Sequence, residues 1–270
     1  MNWSYYSLLQ WIKSGCKNIT TLKKLDISDP YIEVLPEQMF NLVCIETLYI
    51  SECQISSIPK EIGKLINLKK LYLCDLPISD LPEEICSLKN LEYIEIRNTD
   101  ITELPEKFFS LTKLTEIKII DNLIYRLPND IDNLINLTYI NLTNNQLKII
   151  PSSIGHLKKV KNLIVSGNQL EYLPNTLWNM EGLVELICDN NLITFLPEGL
   201  DNLNNLQIIR CNNNEITILP YEITKLKLKE LSYDKEIILS NTANLLKYLI
   251  DNSEKTIMTG KKRRIGDFDN

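Results

Sequence analysis

The stretch Leu137–Lys159, LTYINLTNNQLKIIPSSIGHLKK, is one unit of a repeat that organises most of the chain. With Leu137 counted as position 1, Leu or Ile occupies positions 1, 4, 6, 11, 14, 18 and 21, Asn occupies position 9, and Pro occupies position 15. The frame recurs every 23 residues, at Leu22, Ile45, Leu68, Leu91, Leu114, Val160, Leu183 and Leu206, and a shortened tenth unit begins at Leu228. A fixed period of this length is typical of a solenoid.

Each unit predicts one strand and one return segment. Positions 1 to 6 alternate as a half-buried strand does. Such strands stack into a parallel sheet at about 4.8 Å per repeat, so the repeats give a concave surface roughly 40 Å long. Proline presets φ and lacks an N–H, which suits the entry to a short helical turn on the convex side. Asparagine at position 9 can pair backbone groups that the turn after the strand leaves open.

Written as LxxLxLxxNxLxxLPxxIxxLxx, the unit resembles the leucine-rich repeat proteins over about residues 22–231. It is most similar to the intracellular 23-residue class with LPxxIxxL, found in Ras-signalling scaffolds and plant Ras-group proteins. Similar arrays occur in giant DNA viruses, and the Asn- and Ile-rich sequence suits an AT-rich genome. The resemblance implies an α/β fold, a curved horseshoe with a parallel concave sheet and short helical or irregular convex segments. It also implies protein partners.

A helix is predicted to cover the first repeat, within an N-terminal cap over residues 1–21. Residues 3–14 place apolar side chains at helical spacing before Gly15, a stop signal; they are Tyr5, Leu8, Leu9 and Ile12. A cap is expected because an open end would expose the core and a sheet edge. A helix lying on a membrane surface is the alternative, although Lys13 is its only cation.

After the repeats, the sequence predicts a C-terminal cap over residues 232–254 and a mobile tail over 255–270. The cap contains a predicted helix at 241–254, with Asn241 or Thr242 as the N-cap. The tail contains a run of four cations, Lys261, Lys262, Arg263 and Arg264. This basic run is interpreted as a nuclear-import signal, an anion-binding patch or a solvated tail.

Composition indicates an intracellular protein. The net charge of −6 argues against general nucleic-acid binding, which needs basic surface. The start of the chain lacks the features of a signal peptide, and no apolar run is long enough to span a membrane. The seven cysteines lack paired clusters, and Cys188 and Cys211 fall at the inward position 6, so free core thiols are expected. We predict a cytoplasmic monomer, or a nuclear protein if the basic run is an import signal.

The sequence offers no constellation for catalysis. His156, the one histidine, falls at position 20 on the exposed convex side, where no catalytic triad can be built around it. Metal-ligand motifs and a phosphate loop are missing from the sequence, and the repeat spreads the carboxylates apart. We therefore predict a protein that is not an enzyme and has no metal or cofactor.

Function is predicted on the concave surface, at the outward positions 3, 5 and 7, whose identity folding does not require. Two groups occupy it: the tyrosines Tyr49, Tyr72 and Tyr93, and the isoleucines Ile120, Ile164, Ile187 and Ile208, with Arg210. Tyrosines anchor many protein interfaces, and isoleucines exposed on an open sheet are costly unless covered. The alternative is β propensity, because both residue types suit strands.

A second surface is predicted at position 13, on the flank between the concave and convex faces. Position 13 is apolar in four successive repeats, at Ile149, Tyr172, Phe195 and Ile218. These side chains either tuck under the loop and thicken the core or form a lateral docking surface. Phe109 and Trp178, at position 19, are expected to add apolar area to the convex side.

The first four repeats depart from the pattern at position 9, where they carry Pro30, Cys53, Leu76 and Thr99. Pro30 and Leu76 cannot donate hydrogen bonds that close the turn. The later repeats have asparagine in every unit, from Asn122 to Asn214. We therefore expect the N-terminal half of the solenoid to be looser than the C-terminal half.

These features predict a non-catalytic scaffold or adaptor that binds a protein partner on its concave surface. The alternative is a substrate-recognition module that acts with an enzyme in trans, of the ubiquitin-ligase or phosphatase type. A nuclear or nucleic-acid-associated role depends on the basic run alone.

Overall fold

The computed structural model describes residues 2–16 and 19–234 of the 270-residue chain. Within them, eleven parallel strands form one open sheet whose spatial order follows the chain. The strands are β1 (Asn2–Ser4), β2 (Lys24–Ser28), β3 (Thr47–Ser51), β4 (Lys70–Cys74), β5 (Tyr93–Arg97), β6 (Glu116–Ile120), β7 (Tyr139–Asn141), β8 (Asn162–Ile164), β9 (Glu185–Ile187), β10 (Ile208–Arg210) and β11 (Glu230–Ser232). The helix α1 (Tyr5–Lys13) follows β1. The predicted C-terminal helix and the basic run lie outside the described residues.

Strand register follows the repeat. In β3 and β4, Leu48 pairs with Leu71 and Tyr49 with Tyr72, so that equivalent positions of successive repeats are neighbours. Positions 4 and 6 point into the core, whereas positions 3, 5 and 7 lie on the concave surface. The predicted solenoid with a parallel concave sheet is confirmed.

Short 3-10 turns return the chain along the convex side. Within the described residues they are Glu37–Asn41, Lys60–Lys64, Glu83–Ser87, Phe108–Ser110, Asn129–Asn133, Ser152–His156, Asn175–Asn179, Leu200–Asn202 and Tyr221–Lys225. Before seven of these turns stands the proline of position 15, with φ between −67° and −61°. The predicted role of proline at the entry to the turn is confirmed, because its fixed φ suits this place and no N–H is left unpaired.

The apolar positions of the repeat form one continuous core, and the aromatic residues at position 19 belong to it. Phe109 and Trp178 are buried, so the expectation that they enlarge the convex surface is wrong. Position 19 faces the turn of the next repeat: the Trp178 Nε1 donates to the carbonyl of Pro197 at 3.0 Å. At Gly155, also at position 19, the space between successive turns is so narrow that an added Cβ would lie 2.1 Å from the carbonyl oxygen of Thr176.

Buried asparagines at position 9 join successive repeats. The Asn168 Nδ2 lies 2.9 Å from the Leu142 carbonyl in the preceding repeat and 3.0 Å from the Val165 carbonyl in its own. Its Oδ1 accepts from the Leu147 N–H at 3.0 Å. The same pattern recurs at Asn145, Asn191 and Asn214. We call these residues, together with Asn122, the asparagine ladder.

Position 8 bends the chain sharply after the strand, with its backbone in the left-handed region. Its φ lies between 50° and 57° at Glu52, Asp75, Asn98, Asp121, Asn144, Asn190 and Asn213. Asparagine and aspartate tolerate this region better than most residues. Their side chains add a further bond between repeats, because the Asn144 Nδ2 donates to the Asp121 Oδ1 at 2.7 Å.

The first four repeats have weaker bonds at position 9. Leu76 is buried and apolar, and the Cys53 Sγ lies 3.6 Å from the Ile27 carbonyl of the preceding repeat. The Thr99 Oγ1 donates to the Asn122 Oδ1, which begins the asparagine ladder.

The N-terminal end is covered by α1 and extended by β1, which the sequence did not predict. β1 pairs with β2, and α1 begins after Ser4, whose side chain accepts from the Ser7 N–H. The buried residues of α1 are Leu8 and Trp11, so the predicted apolar face included Leu8 but missed Trp11. The Trp11 and Trp3 rings lie 6.0 Å apart, which shows that β1 and α1 pack together.

We expect backbone amides of β2 to β5 to exchange with solvent faster than those of β6 to β10. Strands β2 to β5 lie in repeats without the asparagine ladder, and local opening is easier where fewer bonds must break. Hydrogen-exchange mass spectrometry, which compares the two halves in one sample, checks this. Slower exchange in β2 to β5 would contradict the prediction.

We expect Asn168→Ala to lower the free energy of unfolding by about 1–3 kcal/mol, because buried carbonyls and an N–H lose their partner. Urea unfolding followed by circular dichroism measures the loss. The matched control is Asn204→Ala, whose exposed Nδ2 only reaches the Asn202 carbonyl at 3.4 Å. Equal losses in both variants would show that the asparagine ladder does not stabilise the solenoid.

Candidate functional site

A row of aromatic and cationic side chains crosses the N-terminal half of the concave sheet. The rings of Tyr49 and Tyr72 stack with centroids 4.0 Å apart and planes inclined by 6°, and Tyr93 follows with its centroid 4.9 Å from that of Tyr72. At one end the Lys24 Nζ lies 4.1 Å from the Tyr49 ring centroid, and at the other the Lys118 Nζ lies 5.1 Å from that of Tyr93. We call these five residues the tyrosine row.

The repeat itself produces this geometry. Tyr49 and Tyr72 are register partners at position 5, and neighbouring strands lie about 4.8 Å apart, a separation close to that of stacked rings. The ring faces carry negative charge density, so a lysine at each end is attracted to them. Three tyrosines and two lysines therefore hold one another in place.

The packing also changes the acidity of two phenols. Burial raises the pKa of Tyr72 above its ordinary value of 10.0, and a hydrogen bond with Tyr49 adds to the rise. Burial likewise raises the pKa of Tyr93, whose hydroxyl donates to the Glu95 carboxylate. Both phenols therefore remain neutral hydrogen-bonding groups over the range in which proteins work.

The isoleucine group lies in the C-terminal half of the sheet. Ile164 and Ile187 are register partners in β8 and β9, and Ile208 follows in β10. These side chains are partly buried, so they are less exposed than the sequence suggested. Neighbouring strands on both sides explain the difference, because each residue is flanked by side chains about 4.8 Å away.

Two of the predicted residues stand apart from this group. Ile120 lies in β6 beside Arg97, with β7 between it and Ile164, and therefore does not join the isoleucines. Arg210 is the register partner of Ile187, but its guanidinium is held by Glu230 through contacts of 2.6 and 3.1 Å. This ion pair fixes Arg210 at the edge of the apolar surface.

The side chains of position 13 form an exposed apolar stripe. Ile149 is 52% exposed, Tyr172 40%, Phe195 51% and Ile218 48%. The interpretation that they thicken the core is therefore wrong. Positions 11 and 14 of the same segment point inward, which directs position 13 outward. A parallel bridge between Phe195 and Ile218 holds the last two repeats of the stripe in register.

Depressions of about 800 and 390 Å³ lie beside the stripe and share Phe195 as a lining residue. They include two apolar residues that the sequence reasoning missed, Leu192 and Tyr221, both 44% exposed. Leu192 is at position 10 and Tyr221 at position 16, so a search for apolar residues at every outward position would have found them. We call the surface formed by Tyr172, Leu192, Phe195, Ile218 and Tyr221 the flank groove.

Groups that could perform chemistry are dispersed over the structure. His156 is exposed as predicted, with its Nδ1 2.9 Å from the Asp132 Oδ2. All seven cysteines are free, and burial raises the pKa of the Cys211 thiol to about 12. In residues 2–16 and 19–234, no three His, Cys, Asp or Glu side chains gather into a possible metal site. No helix of that same part of the chain has the length and apolar character needed to cross a bilayer.

The tyrosine row generates a pH prediction. Tyr72 and Tyr93 have raised pKa values in the folded state, so above pH 10.0 the unfolded chain loses their protons first. Stability should therefore fall as the pH rises from 10.0 towards the folded-state pKa, and less so in Tyr72→Phe, which keeps the ring. Urea unfolding of both proteins across this range measures the difference. Identical pH dependence in the two proteins would contradict the prediction.

Family models match most of the repeat array. The model described as "Leucine-rich repeat region" matches residues 60–137 and 126–211, and that described as "Leucine Rich Repeat" matches residues 44–65. Among curated proteins no match was found.

Solved structures with the same fold include bacterial and plant proteins. A leucine-rich repeat protein of Leptospira interrogans is 29% identical with a TM-score of 0.79, over 86% of this chain and 59% of its own. An internalin of Listeria monocytogenes is 23% identical with a TM-score of 0.66, over 86% of this chain and 70% of its own, and shares the fold alone. The ectodomain of the Arabidopsis thaliana membrane receptor kinase GASSHO1/SCHENGEN3, solved in complex with CASPARIAN STRIP INTEGRITY FACTOR 2, is 26% identical with a TM-score of 0.68, over 78% and 26%.

This chain thus spans about three fifths of the Leptospira protein's length. Its own matched residues run without a gap from 44 to 211, over more than half of the sequence. Because the same strand-and-turn unit continues on both sides of that stretch, the chain belongs to the leucine-rich repeat family.

Proposed function

We propose that this protein is a non-catalytic, cytoplasmic scaffold or adaptor that binds a protein partner on its concave surface. The tyrosine row carries the proposal, because it is an aromatic surface already ordered before a partner arrives. The isoleucine group is the second anchor.

The tyrosine row is suited to binding because its side chains lose little freedom on contact. Stacking fixes Tyr49 and Tyr72, and the hydrogen bond to Glu95 fixes Tyr93. An ordered aromatic surface avoids much of the entropy cost that association otherwise imposes. Tyrosine also combines a large apolar face with a hydroxyl, a combination that is common at interface hot spots.

The isoleucine group offers a complementary kind of contact. Ile164 and Ile187 form an apolar pair, with Arg210 held at its edge by Glu230. An apolar centre with a polar rim is the usual anatomy of a protein interface. The two anchors lie four strands apart, from β4 to β8, or about 20 Å. A single protein partner in the concavity can therefore contact both.

The known complex of a similar solenoid supports a binding role here. The Arabidopsis leucine-rich repeat ectodomain was solved in complex with CASPARIAN STRIP INTEGRITY FACTOR 2. For this chain the proposal adds which side chains on the sheet make the contact.

We expect purified wild-type protein to capture a partner that Tyr72→Ala and Ile164→Asp/Ile187→Asp each lose. Hot-spot substitutions of this kind typically weaken binding by about 30-fold or more. Capture from a cell lysate, followed by mass spectrometry and by affinity measurement with the purified partner, gives the result. Circular dichroism verifies that each variant keeps the fold.

A matched control places the same two charges on the convex side, in Ile66→Asp/Ile135→Asp. These isoleucines are 55% and 60% exposed. The control should bind as the wild type does. Equal binding by all the proteins would overturn the concave site, and loss only in the convex variant would move the site to the other face.

A further inference from the structure

The flank groove is a second apolar surface, separate from the concave face. Its residues come from repeats seven to nine, and the Phe195–Ile218 bridge fixes their spacing. All five of its apolar side chains are between 40% and 51% exposed. Contiguous apolar side chains with this exposure are typical of an interaction surface.

The rim of the flank groove is acidic throughout. The three segments that build it, residues 169–176, 192–199 and 215–222, contain four glutamates and no Lys, Arg or His. The glutamates are Glu171, Glu198, Glu215 and Glu222. Among the described residues none of their carboxylates forms an ion pair. In repeats four and five the charges of the flank cancel, because the Glu103 carboxylate pairs with the Arg126 guanidinium at 3.1 Å. The groove therefore fits an occupant that is both apolar and cationic.

The sequence of this chain contains such a segment. Residues 255–270 carry five Lys or Arg against two Asp or Glu, whereas residues 1–254 carry 24 against 33. Apolar residues stand on both sides of the basic run, at Ile257, Met258, Ile265 and Phe268. Charge and apolar content both complement the flank groove.

The described chain also ends close to the groove. The Asp234 carboxylate accepts from the N–H groups of Asn213 and Asn214 at 2.9 and 3.0 Å, and the Asn214 Oδ1 accepts from the Ile193 N–H at 3.1 Å. Ile193 adjoins Leu192 of the groove. The 20 residues from 235 to 254 connect this point to the tail, and even as a helix they would reach about 30 Å. The groove spans only two repeat spacings, or about 10 Å, so the connection is long enough for the tail to reach it.

We propose that residues 255–270 dock on the flank groove of the same molecule. The tail's apolar residues cover Phe195 and Ile218, and the basic run lies against the rim glutamates. Docking conceals the basic run, so an anionic partner must compete with the groove to reach it. This inference concerns a different face from the proposed concave site, so its failure would leave the proposal of concave binding unaffected.

The test is a trypsin time course on the full-length chain, with intact-mass spectrometry to follow cleavage after Lys261 to Arg264. Phe195→Asp/Ile218→Asp should be cut about tenfold faster than the wild type, which corresponds to a tail docked for nine-tenths of the time. Glu198→Gln/Glu222→Gln should also be cut faster than the wild type. High salt should reduce this difference in cleavage rate, because it screens the attraction between the basic run and the glutamates of the wild type.

The concave variant Ile164→Asp/Ile187→Asp is the matched control and should keep the wild-type rate. Cleavage of Phe195→Asp/Ile218→Asp within the repeats would show that this variant is partly unfolded. Glu198→Gln/Glu222→Gln then decides whether the tail docks, since it leaves the apolar residues in place. Equal cleavage rates in the wild type and both groove variants would overturn the proposal. Protection that grows with protein concentration would also overturn it, because the tail would then occupy the groove of a second copy.

Discussion

Everything in this solenoid depends on pairing the backbone groups that each sharp turn after a strand leaves inside the core. One repeat cannot pair them alone. Asparagine at position 9 can, because its amide offers two donors and an acceptor in a fixed geometry. In Asn168 the donors serve carbonyls of two repeats, while the acceptor takes the Leu147 N–H. In the repeats of the asparagine ladder, stacking is therefore a hydrogen-bonding requirement as well as a way to bury leucine.

The sequence predicts the frame of the fold well because a buried position tolerates few residue types. The alternation in positions 1 to 6, the proline before the turn and the inward Cys188 and Cys211 all lie where the pattern places them. Direction within the turns is harder to predict. Position 19 points to the next repeat and position 13 points outward, because the return segment is a tight 3-10 turn entered from a bend. Spacing alone does not reveal these directions.

For the candidate surfaces, too, the sequence predicts some features and leaves others to the structure. A 23-residue period makes Tyr49 and Tyr72 neighbours, which could be read from the sequence. Lys24 stands at position 3 and Lys118 at position 5, the position of Tyr49 and Tyr72. The repeat pattern does not show that each ammonium group lies over a ring, whereas the structure does. The sheet also separates Ile120 from the isoleucine pair, since position 7 of β6 and position 5 of β8 do not meet. A linear pattern identifies which residues share a face but not which of them touch.

The uneven distribution of the asparagine ladder has a mechanical consequence. Repeats in a solenoid contact only their neighbours, so a force that pulls the ends apart is resisted one interface at a time. The interfaces between β6 and β10 contain the amide bonds of position 9, which those between β2 and β5 lack. If the N-terminal half is looser as predicted, tension should unravel the chain from that side first and leave a folded C-terminal block. The prediction thus amounts to a solenoid that stretches more easily at its N-terminal end than at its C-terminal end.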